Sequence, residues 1–202
     1  MTDAPVLSKS DRAGMYLYVG IGAIAVVAVI WQVIARLIEV APGRGIPVLV
    51  PFDGENAPLP IGPGGSAIDV AVDQATVTVQ EPAAATLFAL WAQPIVIGLA
   101  LCAGIVLASL FCLRLARGKA FQRGTARLVY TAVVVLAVGW FAGSILTSMT
   151  VNGALSAVSD YGYDGTRFQT DWVPIFALLV LTAIGSAFQI GERLQRDTEG
   201  LV

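Results

Sequence analysis

Side chains able to move protons, hold metals or attack carbonyls are sparse in this sequence, and those present are poorly spaced for such work. Histidine is absent altogether, which removes the commonest general base and the commonest transition-metal ligand. The two cysteines are Cys102 and Cys112. On one helix that spacing holds them about 15 Å apart, beyond disulfide reach, so both read as small apolar packing residues. The acid pairs Asp53 with Glu55, and Asp69 with Asp73, lack the loop pattern of a calcium site. No phosphate-cradling glycine loop, nucleophile elbow or cysteine-pair metal motif occurs. No catalytic, cofactor-binding or metal-binding residue is therefore assigned, and a protein that is not an enzyme is expected.

Two other patterns carry information. Arg114, Arg117, Lys119, Arg123 and Arg127 follow one another with no acid between them and with Phe121 in their midst, and Arg193 and Arg196 stand near the C-terminus. Such a face suits anionic lipid headgroups, and Phe121 suits the interface between lipid and water. The second pattern is small residues at helical spacing. Gly139 and Gly143 form a GxxxG pair, and Ala100, Gly104 and Ala108 form a ridge. Both let backbones approach closely, either between neighbouring helices of one chain or between copies in a homo-oligomer.

The elements that must position these residues follow from composition. The chain has 202 residues, of which 56% are hydrophobic and 13% charged, with a mean hydropathy of +0.77. A soluble domain carries roughly 25% charged residues, so this chain belongs in a bilayer. Four uncharged stretches reach the roughly 20 residues that a transmembrane helix needs: about Gly14 to Ala35, Pro94 to Leu113, Leu128 to Val151, and Trp172 to Ile190. Each must be helical, since an open strand in lipid leaves backbone groups without partners. Pro94 and Pro174 are placed in opening turns, where proline sacrifices no internal hydrogen bond. Residues 83–93 read either as an interfacial lead-in anchored by Trp91 or as part of a long helix kinked at Pro94. The lead-in is preferred, because the longer helix overshoots the bilayer. No Asp, Glu, Lys or Arg falls inside the four cores, which disfavours a proton relay or ion pathway. Gln32, Gln93, Ser144, Thr147, Ser148, Thr182 and Ser186 are instead expected to bond backbone or a neighbouring helix.

Orientation follows from the positive-inside rule. The N-terminal tail, the loop 114–127 and the tail 191–202 hold nine of the twelve basic residues. These three segments are expected in the cytoplasm of a bacterium whose inner membrane holds the four helices. A signal peptide is the rival reading of the first stretch, but its apolar run is too long and ends in Arg36 and Glu39 rather than a small-residue cleavage site. That arginine and glutamate are expected to pair at helical spacing.

The opposite side is dominated by residues 40–82, an acidic mini-domain containing seven of the ten prolines. Ile46–Phe52, then Ile68, Val70 and Val72, then Val77 and Val79 alternate as half-buried strands do. Asp73-Gln74 reads as a hairpin turn and Asn56–Gly65 as irregular connection. So short a segment without a disulfide must lean on helix ends, headgroups or a partner. The fold class expected is an all-α integral membrane protein, a four-transmembrane-helix bundle with a small β-containing extracytoplasmic loop between helices one and two.

The loop from Arg117 to Leu128, RGKAFQRGTARL, and the tail from Ala187 to Val202, AFQIGERLQRDTEGLV, resemble a bacterial membrane family catalogued as domain of unknown function 2975, whose four-helix layout with an outer loop after helix one is similar. Thr125 stands where the family pattern has Asn, and Gln189-Ile190 where it has basic residues. The resemblance implies no known activity. It does imply a cytoplasmic partner, because such proteins are often encoded beside small helix-turn-helix regulators. Direct nucleic-acid binding is not expected, since the net charge is −2 and the cytoplasmic segments are too short for a DNA-binding domain. Three function classes follow. A regulatory or scaffolding protein that docks a cytoplasmic partner leads, a small-solute transporter or channel subunit is second, and a membrane enzyme with outer-loop acids around a cleft is third.

Overall fold

The computed structural model describes residues 8–118, 124–160, 162 and 172–199. Four helices carry the chain: α1 (Lys9–Val40), α2 (Ala84–Ala116), α3 (Thr125–Val158) and α4 (Val173–Glu199). All four are long and apolar enough to cross a membrane. Two strands, β1 (Ile46–Leu59) and β2 (Ile68–Val79), fill the connection between α1 and α2.

Every helix differs in extent from the apolar stretch that announces it, and local chemistry gives the reason. At the start of α1 the Ser8 hydroxyl accepts from the Asp11 amide at 3.1 Å, while the Asp11 carboxylate accepts from the Ser8 amide at 3.3 Å. This reciprocal capping box satisfies donors that a helix start leaves orphaned, so α1 begins well before its first uncharged turn. It runs on to Val40 and stops before Pro42 and Gly43, the latter in the left-handed region at φ 68°. The lead-in before α2 is corrected: residues 84–93 are helical and continuous with α2, which places Pro94 inside the helix rather than in its opening turn. Pro82, just upstream, limits how early the helix can start. Gly118, at φ 69°, closes α2 by donating its amide to the Leu115 carbonyl, a left-handed C-terminal cap that glycine adopts without strain. In α4, Pro174 does occupy the first turn.

The mini-domain is one long antiparallel hairpin, not a series of short strands. Ile46 pairs with Val79, and the register holds through Pro51 opposite Gln74. Asp73-Gln74 therefore lies within β2 and is not a turn. Between Pro51 and Glu55 the register shifts, with Gly54 at φ 82°. This bulge absorbs the break in alternation at Asp73, and pairing resumes from Glu55 opposite Val72 to Leu59 opposite Ile68. Prolines at 47, 51 and 58 are tolerated because in a two-stranded sheet each strand is an edge. The connection is a 3-10 turn, Pro63–Gly65.

The chain divides into two compact units: Met1–Ala35, Pro94–Gly143 and Thr170–Val202 form the first, and Arg36–Gln93 with Ser144–Gln169 the second. In the first, helices meet through small residues. Gly139 of α3 lies against Ala100 of α2, Gly143 against Ile97, and Gly104 against Leu136. Gly98 of α2 lies under Val33 of α1, and Phe111 meets Phe188 of α4 edge-to-face at 5.0 Å. Outward faces are apolar, as at Ile24, Trp31, Leu99 and Phe141. In the second unit a true core forms. Val40, Ile46, Val48, Val50, Val79, Leu90, Val151, Ala154 and Leu155 are buried together, with Phe52, Val77 and Leu87 against them. The inward face of the hairpin thus rests on the terminal turns of α1 and α3 and the first turns of α2.

Gly139→Val is expected to lower the melting temperature of the detergent-solubilised protein, corresponding to about 1–3 kcal/mol of overpacking. Gly20→Ala, at a position with no neighbour within 4 Å, should leave it unchanged or slightly raised.

Candidate functional site

Two sets of polar residues stand out, one in each unit. In the first unit, Arg114 lies in the last turn of α2, Arg117 just beyond it, Arg127 in the first turn of α3, and Arg193 and Arg196 near the end of α4. Arg117, Arg127, Arg193 and Arg196 are exposed, and Arg114 is half-buried. Lys119, Phe121 and Arg123 lie outside the described residues. Arg114 packs over Gly124, with its Nη1 only 3.4 Å from the point where a Cβ there would sit, and Gly124 is itself at φ 93°. The backbone conformation favours glycine there.

One acid of the tail, Glu192, has a different partner from the one its spacing suggests. Glu192 and Arg196 are one helical turn apart, but the Glu192 carboxylate accepts from the Ala126 amide at 2.7 Å. That amide is one of the orphaned donors at the start of α3, so the bond places a carboxylate at the positive end of the helix dipole. Above it, the Tyr130 hydroxyl donates to Gln189 Oε1 at 3.3 Å and lies 3.0 Å from Ser186 Oγ. Gly185 permits this approach, since a Cβ there would stand 3.3 Å from the Tyr130 ring. The last turns of α4 are thereby fastened to the first turns of α3. Among the described residues the ion pair present is Arg36 with Glu39, so the arginines of this face have no described acidic partner.

The candidate packing residues divide unevenly. Ala100, Gly104, Gly139 and Gly143 are at contacts between α2 and α3 within the chain, whereas Ala108 is exposed. Cys102 and Cys112 are both free thiols, half-buried on α2. The hydroxyls of Ser109, Thr182 and Ser186 donate to carbonyls four residues back, at 2.7–3.0 Å, which satisfies them within their own helices.

The second unit contains a feature that no sequence motif announces. A cleft of about 480 Å³ opens between the hairpin and the adjoining turns of α1, α2 and α3. Arg36 and Glu39 of α1 stand on one side, and the Arg36 guanidinium also donates through Nη2 to the Pro47 carbonyl at 2.9 Å. Gln93 of α2 donates to the Thr147 hydroxyl of α3 at 2.8 Å beside it. Thr150, 3% exposed, lines the cleft and its hydroxyl has no hydrogen-bond partner. The hairpin contributes Pro47, Leu49, Gln74 and Thr76. Arg36, Glu39, Gln93 and Thr147 each stand out in the sequence as polar residues near apolar stretches. Their convergence depends on the hairpin register, which the sequence does not reveal.

Glu192→Ala is expected to destabilise the start of α3 by about 0.5–2 kcal/mol, the usual cost of losing a cap. Thermal melting together with limited proteolysis of the tail checks it. Glu192→Gln, which keeps an acceptor oxygen, should fall between the alanine variant and the unaltered chain. Compared with known proteins, the chain matches no family model, no curated protein and no solved structure.

Proposed function

We propose that this chain is a multi-pass protein of a bacterial inner membrane, with both termini in the cytoplasm, and that it acts as a regulatory or scaffolding protein. Its working surface is the face formed by the ends of α2 and α4 and the start of α3, which docks a cytoplasmic protein of acidic surface, a helix-turn-helix regulator by family resemblance. The observation that carries this reading is the bond from the Ala126 amide to Glu192, which fastens the α4 tail to α3 while the surrounding arginines have no described acidic partner. Basic charge with no described acidic partner, on a braced scaffold, is available to a partner or to anionic headgroups. The membrane placement draws support from four helices of suitable length and hydropathy and from the asymmetry of basic residues.

A small-solute carrier or channel subunit is the second reading. The polar cleft bounded by Arg36, Gln93 and Thr147 favours it.

Topology is tested first. Reporters fused after Val202 or inserted near Gly118 should be cytoplasmic, and one near Gly64 external; an external C-terminal reporter overturns the arrangement, since four crossings from an inside start must return inside. Docking is then tested by crosslinking in intact membranes. Phe121→Ala, or removal of residues 197–202, should abolish capture of the partner while leaving the protein inserted. Neutralising Lys119 and Arg123 together should weaken capture further at raised salt, because exposed charges are screened over about 8 Å at physiological ionic strength. Undiminished capture in all these variants, with solute flux in proteoliposomes, would favour the carrier reading.

A further inference from the structure

The cleft in the second unit has the composition of a ligand site, and its contents do not depend on the docking face. Its volume of about 480 Å³ falls within the roughly 300–1,000 Å³ range of small-molecule pockets. Its charged residues, among those described, are one guanidinium and one carboxylate, Arg36 and Glu39, whose charges cancel. A lone anion or cation therefore gains little net attraction there. A molecule carrying both charges gains at both ends.

We propose that this cleft binds a small zwitterion, a molecule with an acid group and a protonated amine a few bonds apart. Arg36 is preorganised for it. Two of its donors are committed to Glu39 and to the Pro47 carbonyl, which fixes the plane of the guanidinium, and a guanidinium carries five N–H donors in all. The remaining donors are available to an acid group, which a guanidinium binds more strongly than a neutral acceptor. Glu39 offers its carboxylate to the ammonium.

Thr150 supplies the second, independent observation. A hydroxyl buried without a partner costs about 1–3 kcal/mol, and native structures seldom leave one without a reason. This one belongs to a side chain that lines the cleft, and a polar ligand that reaches it relieves the cost. The bond from Gln93 to Thr147 holds α2 and α3 together beside it, and Leu49 and Val151 provide apolar wall for a short hydrocarbon portion. Two sources share this chemistry: a free amino acid, and the phosphoethanolamine headgroup of a lipid.

The full chain, purified in a maltoside detergent that carries no charge, is titrated calorimetrically with the proteinogenic amino acids one at a time and with phosphorylethanolamine. Saturable binding of an amino acid identifies a free solute as the source, and binding of phosphorylethanolamine alone identifies the lipid headgroup; either supports the site. Arg36→Gln should weaken the binding at least tenfold. Because Arg36 also anchors the hairpin, Thr150→Val is the companion variant. It removes the unpartnered hydroxyl while keeping the shape, so it should raise or preserve the melting temperature and still weaken binding. Glu39→Gln should erase the preference for the zwitterion over its analogue lacking the amine. Failure of every probe to bind the unaltered protein, or binding unaffected by both Arg36→Gln and Thr150→Val, overturns the proposal.

Discussion

The helices of this molecule answer to one constraint: polar groups on helices with apolar outward faces must find their partners inside the chain. A helix does this for the backbone automatically, since each amide donates to the carbonyl four residues before it. Side chains follow the same rule. Ser109, Thr131, Asn152, Thr182 and Ser186 all donate to carbonyls of their own helices, and Gln93 and Tyr130 reach across to hydroxyls on neighbouring ones. Contact between helices then rests on shape. Where lipid tails are as apolar as leucine, burying a leucine between helices gains little, and close approach over glycine and alanine takes over. The pairing of Gly139 with Ala100 and of Gly104 with Leu136 is that solution.

The hairpin obeys a different rule. An isolated two-stranded sheet is marginal in water, and this one has no disulfide and, among the described residues, no third strand. It persists because its inward residues, Ile46, Val48, Val50 and Val79, share a buried core with Val40, Leu90, Val151 and Leu155. Burial of a valine, leucine or isoleucine side chain is worth about 1.5–3 kcal/mol, so the helical turns supply most of what the strands lack. Arg36 adds a polar tether by holding the Pro47 carbonyl.

The existence of the four helices was legible because long uncharged runs admit one conformation. Their ends were not, because ends are decided by single residues such as Ser8, Gly43 and Gly118 rather than by hydropathy. The strands were legible as alternation, but the pairing was misread. Asp73-Gln74 breaks the alternation as a turn would, and only the compensating bulge at Gly54, far away in sequence, reveals it as strand. The basic face was legible as composition, while the Glu192 brace was hidden by a nearer partner, Arg196, that satisfied the spacing equally well. The cleft was illegible for a stronger reason. Arg36, Pro47, Gln93 and Thr150 belong to four separate elements, and nothing local links them.

The prolines of β1 have an effect beyond their own strand. Pro47 and Pro51 share parity along the chain, and the Pro47 carbonyl turns to Arg36 rather than to β2, so both nitrogens, which carry no hydrogen, fall on the side of β1 away from β2, an edge that no described strand covers. An open edge is ordinarily a template on which another chain can add a strand. Here a second copy approaching along β1 meets gaps in the row of donors where a continuous ladder would need them. Copies brought side by side at high local concentration are thereby discouraged from zipping their hairpins into a shared fibre.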